Sequence, residues 1–124
     1  MLAASNPGLA YRHSSFDARL FAATPGDLVL ICLDDFLANL VRFEQADLRG
    51  DREARSGALT RCITSLTALE MGVDRSATLG QSLLQVYAAA KSALLGMVVT
   101  VEVGTVRRIK TDFEEIRDSF RDTA

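Results

Sequence analysis

From residue 26 to residue 124 the chain runs for 99 residues without a proline. Proline lacks an amide hydrogen and its ring collides with the preceding helical turn, so long helices exclude it while turns and sheet edges accept it. So long a stretch without one is what a bundle of helices requires. The two prolines present, Pro7 and Pro25, both fall in the first quarter of the sequence.

Local signals then divide the proline-free stretch. Thr24 before Pro25 is a helix start: the threonine hydroxyl accepts an amide as N-cap, Pro25 has no amide to leave unpaired, and Asp27 suits the positive end of the dipole. This helix is expected to run to about Arg49, where Gly50 stops it, and Asp51 caps the next. The second stripe is Leu59, Cys62, Ile63, Leu66 and Leu69, ending near Gly72. A third helix, expected from about Ser76, carries Leu79, Leu83, Val86, Tyr87, Ala90, Leu94 and Met97. The last has the most regular spacing, with Val106, Ile109, Phe113, Ile116 and Phe120 alternating three and four apart. Residues 98–103, Val-Val-Thr-Val-Glu-Val, favour a strand by propensity. A lone strand would have no partner, so they read as the end of one helix and the start of the next. The expected fold is all-α, an antiparallel four-helix bundle with a short N-terminal accessory helix around Phe16, Leu20 and Phe21. Residues 1–14 read as a flexible tail and 15–124 as one helical-bundle domain.

Totals remove several function classes. A formal charge of −2 argues against a nucleic-acid backbone as partner. No apolar run approaches the roughly 20 residues that span a bilayer, so no membrane insertion is expected. The N-terminus has no basic segment followed by a continuous apolar one and reads as lacking a signal peptide. Cys32 and Cys62 are too few for a disulfide framework and sit in helical patterns, as free thiols of a reducing cytosol do. Apolar residues make up 48% of the chain, a surplus that hints at a surface meant to be covered.

Chemistry has little to work with. In "TPGDLVLICLDDFLANL", residues 24–40, two adjacent carboxylates interrupt an apolar run. Neighbours on a helix point about 100° apart, so Asp34 and Asp35 cannot converge on one substrate atom. The apolar face comprises Leu30, Leu33, Phe36, Leu37, Leu40, Val41 and Phe43. Asp34 falls at its border, and Asp35 lies with Asn39 and Arg42 on the polar side. Both carboxylates read as structural: Asp34 is placed to hydrogen-bond a neighbouring helix or tail amide. The single histidine, His13, gives no metal site or general base, and no Glu-x-x-His pair occurs. "RGD" at 49–51 is a turn, and Arg107, Arg108 and Lys110, followed by Glu114 and Glu115, form a solvated face. No catalytic residue, metal or cofactor is expected.

The layout resembles the FliS family of flagellin secretion chaperones. "FAATPGDLVLICLDDFLANL" is similar to the family's signature, in which Ala-Ser-Pro opens an apolar helix bearing Leu-Tyr/Phe-Asp-Gly-Ala. Ala23-Thr24-Pro25 matches the opening, Leu33-Asp34-Asp35-Phe36 stands at the core of the motif, and Asp34 occupies the family's aspartate. "LGQSLLQVY", ending at Tyr87, is similar to the family's Asn-Leu-x-x-Leu-Tyr, and the interval to "IRDSF" matches the run to its C-terminal Ile/Leu-x-x-x-Trp. The resemblance covers about residues 11–120. Asp35 replaces the family's glycine, Leu33 its aromatic residue and Phe120 its tryptophan, and "LLGMVVTVE" stands where Leu-x-x-Ala-Asn is usual, so the chain reads as a divergent member.

The resemblance implies a chaperone in the cytosol of a bacterium. Such a chaperone holds the disordered C-terminal segment of flagellin in an apolar groove, blocks premature polymerisation, and hands the client to the flagellar export apparatus. An N-terminal segment that covers the groove without client would here carry Tyr11 and Phe16. The groove is expected from helix faces the core can spare: Leu28, Val29, Cys32 and Phe36 on one helix, and Leu79, Leu83, Tyr87 and Leu94 on another. Asp35, at a glycine position, would fill space where another chain approaches. Two further readings remain open on the residues alone: a helical interaction or regulatory domain with a different client, and a small-molecule-binding bundle enzyme.

Overall fold

The computed structural model describes residues 25–122, with the side chain of Pro25 outside the description. Four helices make up these residues: α1 (Pro25–Arg49), α2 (Arg52–Met71), α3 (Gly80–Leu95) and α4 (Val103–Asp122). The expected accessory helix, the tail and the Thr24 cap lie outside the described residues, as do Tyr11, His13 and Phe16.

Local chemistry sets the first two helices. Asp27 sits in the first turn of α1 and Arg49 in its last, each complementing the dipole. Gly50 then takes φ 70°, the left-handed conformation in which a Cβ would crowd the following carbonyl. Its amide bonds to the Asp47 carbonyl at 3.1 Å and the Asp51 amide to the Ala46 carbonyl at 2.9 Å. This paired closure satisfies carbonyls that the helix end would leave bare. Asp51 starts α2 at once, its Oδ1 accepting the Ala54 amide at 3.0 Å.

The next connection departs from expectation. α3 begins at Gly80 rather than near Ser76, because Asp74 closes a turn of its own. Asp74 Oδ1 accepts from the Ser76 amide at 3.0 Å and from Ser76 Oγ at 2.6 Å. A side chain that bonds the backbone two residues on offers the chain an alternative to helix. Leu79 therefore precedes α3, and Met97 follows its end yet is buried. Residues 98–102 form a loop, and the described residues contain no strand.

Polar links across the helix pairs fix an up-down-up-down order. Asp47–Arg55 at 3.3 Å and Asp35–Ser65 at 2.8 Å tie α1 to α2. Lys91 Nζ reaches Glu70 at 2.6 Å and Thr67 at 3.1 Å, tying α3 to α2. Glu44–Arg107, Asp34–Arg117 and Asp34–Arg121, at 3.6–4.0 Å, tie α1 to α4. α1 packs along both α2 and α4, and α2 along α3, whereas α3 and α4 meet only sparsely. The core has Leu33, Phe36, Leu40 and Phe43 of α1, Cys62 and Leu66 of α2, Tyr87 and Leu94 of α3, and Val106 and Phe113 of α4. Phe113 lies 4.6 Å from Phe36 and 5.9 Å from Tyr87 between ring centroids, both tilted contacts.

Replacing Phe113 by alanine is expected to lower the unfolding free energy by about 3–5 kcal/mol, seen as a lower urea midpoint. Gly50→Ala, which places a Cβ in the left-handed region, is expected to cost about 1–2 kcal/mol by the same measurement. A loss below about 1 kcal/mol for Phe113→Ala would show that the ring does not bridge three helices.

Candidate functional site

The two carboxylates diverge as the helix geometry demands, but their surroundings need correction. Asp35 is not on a solvated side: its Oδ2 accepts a hydrogen bond from Ser65 Oγ of α2. Asn39, expected beside it on the polar side, is 1% exposed. Its Nδ2 donates to the Asp35 carbonyl at 2.9 Å, and its Oδ1 accepts from Arg42 Nη1 at 3.1 Å. A helix packed on two neighbours buries a wider arc than one apolar stripe suggests, and the polar residues inside that arc must be hydrogen-bonded. Asp34 reaches the guanidinium groups of Arg117 and Arg121 rather than an amide. Asp35 is engaged with α2 through its bond with Ser65. Among the described residues no group of three or more His, Cys, Asp or Glu is arranged to hold a metal ion.

The thiols are withdrawn from chemistry. Burial first, and then the Asp35 carboxylate, push the Cys62 thiol up to about 12, and the same causes raise that of half-buried Cys32. Burial, with a smaller effect from Cys32, pushes the Tyr87 hydroxyl up to about 12. A thiolate is the reactive form, so neither cysteine is an activated nucleophile.

What the bundle does offer is a cleft of about 350 Å³ between α3 and α4. Leu79, Ser82, Leu83 and Val86 form one wall, and Ile116, Ser119 and Phe120 the other. Among the described residues no charged side chain lines it. Leu79 is 69% exposed at its rim, while Leu83, Ile116 and Phe120 pack partly against the core beneath. The spacing of α3 explains the split: Leu83 and Val86 point to the seam, while Tyr87, Ala90 and Leu94 turn inward.

Of the residues expected to form a groove, Leu79 and Leu83 come together here. Phe36, Tyr87 and Leu94 do not: they are 0%, 1% and 0% exposed and belong to the core. Leu28, Val29 and Cys32 are half-buried on α1, the latter two packed against the core. Val86, Ile116, Ser119 and Phe120 line the cleft without having been singled out for it. Ile116 and Phe120 continue the α4 stripe past Phe113, and the length of that stripe against the shorter α3 was the available signal. At the other end of the bundle Leu48, Leu95, Val98, Val99 and Val103 are exposed around the helix termini.

The described residues thus form an all-helical bundle with an apolar cleft between α3 and α4. The family model of the flagellar protein FliS matches residues 6–124, nearly the whole chain, and the chain belongs to this family. It is therefore a flagellar chaperone, of a family that is not enzymatic, and its partner is a protein. No curated protein matches the chain. No described helix is long and apolar enough to cross a membrane.

Cys62 is expected to resist a thiol reagent at pH 8 in the folded protein and to react fully in denaturant. Cys62 and Tyr87 have folded pKa values above their ordinary 9.0 and 10.0, so each favours the fold below its unfolded pKa. That contribution is lost as pH rises toward about 12. The melting temperature should therefore fall between pH 9 and 12, and Cys62→Ala should flatten the fall; an unchanged slope would count against it.

Proposed function

We propose that the protein is a cytosolic export chaperone of a bacterium that holds the disordered C-terminal segment of flagellin, in helical form, along the α3/α4 cleft. Docking there prevents premature polymerisation, and the complex is the form presented to the flagellar export apparatus. The observation that carries this reading is the contrast among seams. α1/α2, α2/α3 and α1/α4 are tied by ion pairs or hydrogen bonds, whereas the described lining of the α3/α4 seam is uncharged and mostly apolar.

The energetics suit a folding client. A disordered segment loses roughly 1–2 kcal/mol of backbone entropy per residue on ordering. Each large apolar side chain that it buries returns about 1.5–3 kcal/mol, so apolar anchors at helical spacing are needed throughout. A charged client residue facing the cleft would lose water without gaining a partner, which disfavours polar sequences. Leu79, Leu83, Val86, Ile116 and Phe120 are the contact residues in this reading. Phe36, Tyr87 and Leu94 support them from the core, and Leu28, Val29 and Cys32 extend the contact along α1. The stretch carrying Tyr11 and Phe16 covers the cleft when client is absent. It leads into α1 at Pro25, and the start of α1 shares its end of the antiparallel bundle with the cleft.

Calorimetric titration with the C-terminal ~40 residues of the host's flagellin should give saturable 1:1 binding with a large negative heat-capacity change. Circular dichroism of the mixture should exceed the sum of its parts. Leu83→Glu is expected to weaken binding at least about tenfold while the bundle stays helical; loss of helicity would mark the position as core. No heat and no added helix from a well-folded bundle would sink the flagellin reading and leave a family member with another client.

A further inference from the structure

The rim of the cleft depends on a glycine that no apolar pattern would single out. Gly80, the first residue of α3, is buried. A Cβ built on it would fall well inside contact distance of the Asp74 carbonyl oxygen, 3.2 Å from the Asp74 carbonyl carbon and 3.4 Å from Arg75 Cα. All three neighbours are backbone, so no side chain can rotate away to make room. The requirement is for space rather than for an unusual backbone conformation, since Gly50 is the one described glycine with positive φ.

The segment pressed against Gly80 is closely held. The Asp74 carbonyl accepts the Ala77 amide at 3.1 Å, and the Gly80 amide donates to the Ala77 carbonyl at 3.0 Å. From the side-chain end, Ser76 holds the Asp74 carboxylate by two hydrogen bonds. These bonds, the Ser76 hydroxyl first, keep the Asp74 carboxyl below its ordinary value. Leu79 lies inside this closed turn, immediately before Gly80, and its carbonyl accepts the Leu83 amide at 3.0 Å. Two residues of the cleft wall, Leu79 and Leu83, are thus joined to the turn that Gly80 allows to close.

We infer that Gly80 is a positioning residue for the cleft: its missing side chain lets the 74–79 turn seat against α3 and so fixes where Leu79 and Leu83 stand. The inference rests on reading the cleft as the client site. A methyl group at position 80 must push the turn outward or unwind the first turn of α3, and either movement displaces the rim. Gly80 itself need not touch the client.

The test pairs Gly80→Ala with Ile109→Val, a core truncation on α4 that also weakens the fold. Both are read well below their melting temperatures by methyl NMR and by titration with the flagellin C-terminal segment. For Gly80→Ala the methyl resonances of Leu79, Leu83 and Val86 should move while those of Leu33 and Leu66 stay, and affinity should fall about tenfold. Ile109→Val should bind as the wild type does. A Gly80→Ala protein with unmoved rim methyls, or with wild-type affinity, overturns the inference. Should that variant fail to fold, Asp74→Ala loosens the same turn without adding an atom. It should speed amide exchange at residues 74–80 and weaken binding about threefold; unchanged affinity there is equally fatal. If the wild type itself does not bind flagellin, the client reading falls, and the rim methyls still decide whether Gly80 positions the cleft.

Discussion

The tilted contacts of Phe113 with Phe36 and Tyr87 are the interaction on which the bundle depends. They join α4, α1 and α3 through one buried ring, and α3 has no other extensive hold on the α4 side. Aromatic rings bury large areas and interlock in few geometries, so this cluster sets how deeply α3 can settle against its neighbours. One helical turn away, Leu83 and Ile116 line the cleft. The cleft is in this sense a consequence of the core: the rings close its floor, and Leu79, Leu83, Val86, Ile116 and Phe120 stand along its sides.

Polar links reinforce the same asymmetry. α1 carries partners on two sides, Asp35 toward α2 and Asp34 toward α4, so the adjacent carboxylates act as a pair of braces. α3 is tied to α2 through Lys91. The Asp34 pairs are partly exposed and long, and such pairs contribute at most about 1 kcal/mol each, so they orient α4 more than they stabilise it. The Asp35–Ser65 bond, beside buried Asn39, has greater consequences. Removing one partner would leave a desolvated oxygen, at roughly 1–3 kcal/mol.

Helix ends and the fold class were legible because their causes are local. Pro25, Gly50 and Asp51 act on amides and carbonyls within four residues, and no tertiary contact was needed to read them. The stripes of α2 and α4 were legible for a related reason: each buries one face, so spacing alone reports it. The start of α3 was less so, because Asp74 could close a turn or join a helix, and packing against Gly80 settles which. Asn39 was assigned to the wrong side because α1 has two covered faces.

The candidate site divides in the same way. That this chain would form an all-helical bundle with apolar surface to spare was set by its residues: a proline-free run, regular spacing, and the absence of convergent chemical groups. Which apolar residues are core and which are cleft was decided only in three dimensions. Phe36, Tyr87 and Leu94 are as apolar as Leu79, Leu83 and Val86, and burial is a property of what stands opposite. Spacing gives the direction in which a side chain points along its own helix, but it does not say whether a neighbouring helix arrives there. Among the described residues, α3 and α4 meet at Tyr87 and Phe113, and the cleft lies beside them at Leu83 and Ile116.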